Sequence, residues 1–192
     1  MERSSKAASD GEVPALVSDA AEVGRLAEAV RAAGAFAFDL EFVSEGRYVP
    51  VPALLQIAWG DPGAPETALV DWTAVDPAPL LALIGDPAIT KVAHAARQDL
   101  GLLAARFGVV AQSFHDSQIA AAFLGMGDQI GYGRLIELAC GLSLDKGPQF
   151  TRWLDRPLSV RQLRYALADV RHLPAAWQML STRLEAAGRR GW

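Results

Sequence analysis

Phe36-Ala37-Phe38-Asp39-Leu40-Glu41-Phe42 changes character at every step. In an extended strand, side chains two apart leave from the same face. Phe36, Phe38, Leu40 and Phe42 therefore share an apolar face, and Asp39 and Glu41 sit side by side on the other. Gly34 closes the helical pattern before it, so a buried strand leaving a turn is expected. Two such carboxylates about 4 Å apart repel by roughly 4 kcal/mol at an effective dielectric near 20. A fold keeps them if the acidic face meets water, if one holds a proton, or if a cation sits between them. An Asp-x-Glu alone does not choose among these.

Outward from this strand, the chain alternates turn signals and periodic segments. Val13 to Val17 is a short strand candidate. Ser18 reads as the cap of a helix carrying Val23, Leu26 and Val30. Ser44 to Pro52 is a loop exposing Arg47 and Tyr48. Ala53 to Trp59 and Thr67 to Trp72 read as a hairpin around Asp61-Pro62-Gly63, giving three consecutive antiparallel strands. Asp76 and Pro77 open a short helix ending near Gly85. Ile89 to Ala93 is a strand, and Arg97 to Phe107 a helix stopped by Gly108. A strand near Phe114 leads into a helix from Asp116 to Leu124. Leu135 to Cys140 is helical, and Leu142 to Pro157 is a loop. Ser159 caps a long helix through Asp169, and Pro174 must kink or break it. Strands, then helices alternating with strands, then helices predict an α/β domain with a mixed sheet flanked by helices.

Composition narrows the class. A chain of 192 residues fits one domain with a sizeable core. Residues 13–192 are read as that domain, and the polar stretch 1–12 as a disordered tail without the apolar run of a signal peptide. No apolar stretch approaches a membrane span, so no membrane partner is expected. Cys140 is the only cysteine and reads as a small core residue in a reducing compartment, which makes the cytoplasm the default location. The net charge of -4 argues against a broad basic surface. From Gly131 onward, however, ten Lys/Arg face five Asp/Glu. That basic third is either a phosphate track beside a metal site or a set of solvated Arg faces.

Two further acidic positions stand out. Asp99 falls in the first turn of a helix, where the helix dipole alone explains an acid. Tyr165 and Asp169 are four apart among Ala and Leu, so they share a helix face. Asp169 either bonds the Tyr hydroxyl or faces the strand carboxylates with the Tyr beside it. Asp39, Glu41, Asp99 and Asp169 are all oxygen donors, a set that suits Mg²⁺ or Mn²⁺ and not zinc. Two divalent ions would cancel the four charges and leave a site able to accept phosphate.

Asp39-x-Glu41, Asp99 and Tyr165-x-x-x-Asp169, in that order, resemble the ribonuclease D-like DEDDy branch of the 3'-5' exonucleases. The likeness extends through Arg47-Tyr48 with Pro50, Leu55-Gln56-Ile57, His94 five residues before Asp99, and His115-Asp-Ser-Gln-Ile119. It continues through Leu144-Asp-Lys146, Gln149, Trp153 and Arg156-Pro157-Leu158. The position five before Asp169 is Arg164, so the histidine branch of these enzymes does not fit. The resemblance implies a ribonuclease H-like fold and two divalent metal ions. Asp39, Glu41 and Asp169 would hold the first ion, Asp39 and Asp99 the second, and Tyr165 the attacking water.

The same resemblance implies a nucleic-acid partner, with single-stranded RNA 3' ends expected and DNA or very short oligoribonucleotides as alternatives. A non-catalytic nucleic-acid-binding domain is the other reading. Phe42, His94, Lys146, Gln149 and Arg156 are the expected substrate contacts, with a local structural role as the alternative for His94 and ordinary loop charge for the last three. Three departures are visible. Leu40 replaces a common Thr, Arg152 replaces the usual Asp before Trp153, and no helical HRDC segment follows before Trp192. The chain is either a short exonuclease or a truncated one, and nothing in it sets an oligomeric state.

Overall fold

A computed structural model of the chain describes residues 15–144 and 152–189. The first strand, β1, is Leu16–Val17, and the helix α1 spans Ala20–Ala33. Asp19, not Ser18, caps α1: its Oδ1 accepts from Ala21 N at 2.9 Å and Glu22 N at 3.2 Å. The Asp19 side chain thus satisfies two of the free N–H groups of the first turn. Gly34 closes α1 with φ 72°, a conformation that costs glycine little. The acidic strand is β2, Ala35–Val43, followed by β3, Val51–Trp59, and β4, Glu66–Asp71.

The short helix α2, Ala78–Gly85, begins one residue after Pro77. The chain then forms β5, Thr90–Ala93, α3, Arg97–Phe107, β6, Phe114–Asp116, and α4, Ser117–Phe123. The last helices are α5, Tyr132–Cys140, α6, Val160–Arg171, and α7, Leu173–Ala186. Pro174 breaks the helical stretch as expected, with α6 ending at Arg171 and α7 starting at Leu173. It sits in the first turn of α7, where its missing N–H costs nothing. Of the expected strand Val13 to Val17, only Leu16 and Val17 are paired, and residues 13 and 14 lie outside the described residues, as does the expected tail.

The six strands form one mixed sheet in the order β1-β4-β3-β2-β5-β6. The β2, β3 and β4 strands are antiparallel neighbours, as the hairpin signals predict. The other pairs, β1 with β4, β2 with β5 and β5 with β6, are parallel. The two faces of β2 meet different partners. Phe36, Phe38 and Leu40 join Val23, Leu26 and Val30 of α1, Leu80 and Ile84 of α2, and Leu102 and Leu103 of α3 in the largest core. Ala37, on the opposite face, packs with Val170 and Leu173 of the C-terminal helices. Leu40 thus points away from the carboxylates, so its replacement of Thr leaves the acidic face unchanged. A third cluster joins α4, α5 and α7, with half-buried Cys140 at its margin. No helix among the described residues is long and apolar enough to cross a membrane.

Candidate active site

Three elements, β2, α3 and α6, deliver the acidic residues to one place. Asp39 and Glu41 leave β2 on the face that α6 covers. The ladder partners are Gln56 for Asp39 and Leu54 for Glu41, and the register slips immediately after Glu41, between Phe42 and its partner Pro52. The residue skipped on β3 is Ala53. Its carbonyl accepts from Trp72 N at 3.2 Å and from Arg156 Nη2 at 3.0 Å. A bulge here bends the strand end and aims Glu41 without leaving a buried carbonyl unpaired.

Asp169 comes from α6, whose start is firmly set. Ser159 Oγ accepts from Gln162 N at 3.2 Å, and Gln162 Oε1 accepts from Ser159 N at 3.0 Å, a complete capping box. Ala166, Leu167 and Val170 bury the helix against the sheet, which turns Asp169 and Tyr165 inward at its edge. Carboxylate oxygens of Asp39, Glu41 and Asp169 lie within 4.8 Å of one another. Tyr165 stands beside them, its ring tilted at 6.2 Å from the buried Trp153.

Asp99, in the first turn of α3, lies outside this tight trio, but its charge raises the pKa of both Asp39 and Glu41. The turn that carries it has no side-chain cap of its own. Asp116 braces it instead, accepting from Ala95 N and Ala96 N at 3.0 Å each while also capping α4 through Gln118 N at 2.8 Å. Ala95 is held there at φ 55°, a left-handed conformation that an alanine adopts at a cost of about 1–2 kcal/mol. This brace was not among the expected site residues, because an N-cap Asp looks entirely local in the sequence.

The electrostatics match a site short of positive charge. Burial first, then the charges of Asp99, Asp169 and Glu41, push the Asp39 carboxyl well above its ordinary range. Burial and the neighbouring Asp169 and Asp99 raise Glu41 to about 8. Burial raises Asp169 to about 7, and burial with the charge of Asp116 raises Asp99 to about 6. Tyr165 is pushed up to about 12 by burial and by Asp169, Glu41 and Asp39. Tyr132, on α5, was not expected in the site, yet burial and the charges of Asp169 and Asp39 raise its hydroxyl too.

These acids titrate higher in the fold than in the unfolded chain, so the folded state holds more protons between about pH 4 and 8. Metal-free stability is therefore greatest below that window and falls as pH rises through it. Melting in EDTA should show Tm declining from pH 5 to pH 8, by about 2–4 °C for each kcal/mol lost in a chain of this size. Millimolar Mn²⁺ should flatten the decline. A flat profile in EDTA would contradict the crowded-carboxylate geometry.

The expected substrate contacts divide. Lys146 and Gln149 lie outside the described residues. Phe42 is half-buried against the main core, one residue beyond Glu41. His94 is held in the β5–α3 corner. Ser117 Oγ donates to Ala93 O at 3.0 Å and so accepts from His94 Nδ1 at 2.9 Å. Nε2 of the ring is buried, the ring is tilted at 5.4 Å against Tyr132, and burial lowers its pKa. His94 is thus a packing residue behind the site and not a surface for substrate.

Arg156 is a correction of another kind. A guanidinium has five N–H donors, and here all are used inside the fold. Nε and Nη2 grip Asp71 as a fork, Nη2 also reaches Ala53 O, and Nη1 donates to Trp153 O at 2.7 Å and Asp155 O at 2.9 Å. It ties the 152–157 segment to the sheet and has no donor left for phosphate. Arg152 pairs with Asp155 at 2.9 Å on the same exposed segment. A groove of about 500 Å³ lined by Phe114, Ile119, Phe123 and Trp177 runs along the β6 edge, and none of the four clustered acids lines it.

Residues 14–185 match the family model described as 3'-5' exonuclease. A ribonuclease D from Gluconacetobacter diazotrophicus is 40% identical over 181 residues, covering 93% of this chain and 45% of the relative. The crystal structure of Escherichia coli RNase D, an exoribonuclease involved in structured RNA processing, superposes with a TM-score of 0.83 at 38% identity. It covers 91% of this chain and 46% of that one. The chain thus spans about half the length of these relatives. NrnC of Brucella melitensis, in a structure bound to pGG, has a TM-score of 0.70 at 28% identity, covering 82% and 76% of the two chains. The same protein is also known with bound Mg²⁺. With its sheet order, its helices and nearly its whole length accounted for, the chain belongs to the 3'-5' exonuclease family.

Proposed function

We propose that residues 13–192 form a divalent-metal-dependent 3'-5' exoribonuclease domain that removes nucleoside 5'-monophosphates from single-stranded RNA ends. The observation that carries this reading is the convergence of Asp39, Glu41 and Asp169 within 4.8 Å, with Tyr165 beside them. The donor set fits the group it would need. The acids are oxygen-only and mutually repelling, with carboxyls raised by burial and by one another. Such a cluster is relieved by a hard cation of the Mg²⁺ or Mn²⁺ type. The similar NrnC has been captured with Mg²⁺.

Asp39, Glu41 and Asp169 would hold one ion, and Asp39 with Asp99 a second. Two such ions supply a lowered water pKa at neutral pH and charge neutralisation on both the attacking and the leaving oxygens. The protein's own groups do the positioning. Tyr165 keeps its proton at neutral pH, since its pKa lies near 12, and therefore orients the attacking water instead of deprotonating it. Glu41, at the bulged strand end, would accept from a terminal 3'-OH, and the exposed part of Phe42 would meet the last base. Attack at phosphorus breaks the P–O3' bond, frees the 5'-monophosphate and leaves a new 3'-OH.

The test is end-labelled single-stranded RNA incubated with Mg²⁺ or Mn²⁺. Mononucleotides released stepwise from the 3' end, and their loss in EDTA, are expected. Cleavage that survives EDTA overturns the metal-dependent reading, and binding of RNA without hydrolysis favours the non-catalytic alternative. Very short oligoribonucleotides are the second substrate class, favoured by the likeness to the pGG-bound NrnC. Turnover of pGG, a 20-mer RNA and the matching DNA separates these. Tyr165→Phe should lower the rate by about 10²–10³-fold, the usual size of losing one preorganised hydrogen-bonding group.

A further inference from the structure

Among the described residues, the buried polar side chains outside the acidic cluster are Gln56, Asp71, Lys91 and Ser117. Three of them are bonded. Asp71 takes Arg156 and Thr73, Lys91 Nζ donates to Ile89 O at 2.7 Å and to Asp86 O, and Ser117 joins Ala93 O and His94. Gln56 differs. It is 0% exposed, and neither its Nε2 nor its Oε1 has a protein partner. Each unpaired group of this sort destabilises the fold, because its lost water contacts are not replaced. A methionine of the same size would avoid both costs in so apolar a strand as Val51–Trp59.

The sheet register says what the amide is near. Gln56 is the direct cross-strand partner of Asp39. Opposite residues of an antiparallel pair project from the same face, with Cβ atoms about 4.5–5.5 Å apart. The amide therefore lies on the acidic face, under α6, next to the carboxylate central to the cluster. Asp39 in turn accepts a backbone hydrogen bond from Leu40, which leaves lone pairs on its oxygens unassigned.

We propose that Gln56 is a positioning residue: its Nε2–H donates to the Asp39 carboxylate when the cluster holds a divalent cation, fixing which oxygen faces the ion. This rests on the metal-binding reading given above. A carboxylate shared by two cations must present its oxygens in a defined plane, and a buried neutral donor behind it sets that plane without adding charge. A lysine or arginine there would compete with the cation, while an apolar residue would leave the carboxylate free to rotate. Loss of such supporting hydrogen bonds weakens metal binding by about 10–100-fold in comparable sites.

Calorimetric titration of the full chain with Mn²⁺ alone tests this, using Gln56→Met, which keeps the volume and removes both polar atoms. The expected result is at least about tenfold weaker Mn²⁺ binding, with a metal-free Tm in EDTA equal to or above that of the parent. Less than about a threefold change in affinity overturns the assignment against that expectation. So does a weakened affinity accompanied by a lower metal-free Tm, which would make Gln56 a packing residue. If Gln56→Met does not fold, Gln56→Asn withdraws the donor by one methylene and reads the same affinity. Failure of the parent chain itself to bind Mn²⁺ overturns the metal-binding reading. Parent binding with an undiminished variant overturns the Gln56 assignment alone.

Discussion

Asp39→Asn should reduce 3'-end hydrolysis by roughly 10³-fold or more and, in EDTA, raise the melting temperature. Both effects have one cause. Asp39 is buried and faces the charges of Asp99, Asp169 and Glu41. Without a cation, the fold tolerates this carboxylate only by holding it protonated or by bearing the repulsion. The amide keeps the shape and removes the charge, so the metal-free protein gains stability. The same change removes a carboxylate that would help hold both ions, whose charge would stabilise the reacting phosphate. Measured side by side, the rate on end-labelled RNA and Tm in EDTA should move in opposite directions. A variant that loses both would show Asp39 to be structural. A variant that keeps its rate would remove the basis of the proposed mechanism.

Asp169→Asn should behave in the same way, since burial alone raises its carboxyl to about 7. Asp116→Asn should not. Asp116 spends both oxygens on backbone N–H groups that hold the left-handed corner before Asp99. Its loss should lower Tm and rate together, and that shared direction separates a brace from a ligand.

The acidic pair was legible in the chain because strand periodicity is short and unambiguous: alternation from Phe36 to Phe42 can place Asp39 and Glu41 only on one face. Tyr165 and Asp169 were legible for the parallel reason on a helix. Asp99 was not legible on physical grounds alone. An acid in a helical first turn has a sufficient local cause, and only the order of motifs marked it. Asp116 and Arg156 were opaque for the same kind of reason. Each has a local appearance, an N-cap and a loop cation, while its partners lie about 20 and 85 residues away. Apart from its place in the Leu55-Gln56-Ile57 motif, Gln56 reads as one polar residue in an apolar run. What makes it informative is the register of β3 on β2, which no local pattern specifies.

Arg156→Met should cost about 3 kcal/mol at pH 7, at the low end of the range for breaking a buried ion pair. The low end applies because the Arg156 side chain keeps 26% of its surface exposed, against 7% for Asp71. Three losses combine: the fork on Asp71, the bond to the bulge carbonyl of Ala53, and the ties to Trp153 and Asp155. For this chain length that is a fall in Tm of about 6–12 °C. The pH dependence identifies the cause. Burial alone would raise the Asp71 carboxyl, but hydrogen bonds from Arg156 and Thr73 and the Arg156 charge hold it below its ordinary value. A carboxyl depressed in the fold contributes stability above its unfolded pKa, and this is lost as pH falls through the folded value. The gap between parent and Arg156→Met should therefore be wide at pH 7 and narrow below about pH 4, where Asp71 is protonated in the variant and approaching protonation in the parent. This slope is opposite in sign to that of the acidic cluster. Trp153 packs on Tyr165, so the variant should also lose rate by loosening the ring that orients the attacking water. A full rate with the same fall in Tm would confine Arg156 to folding alone. A gap in Tm that stays constant with pH would show that packing, and not the ion pair, carries the stability.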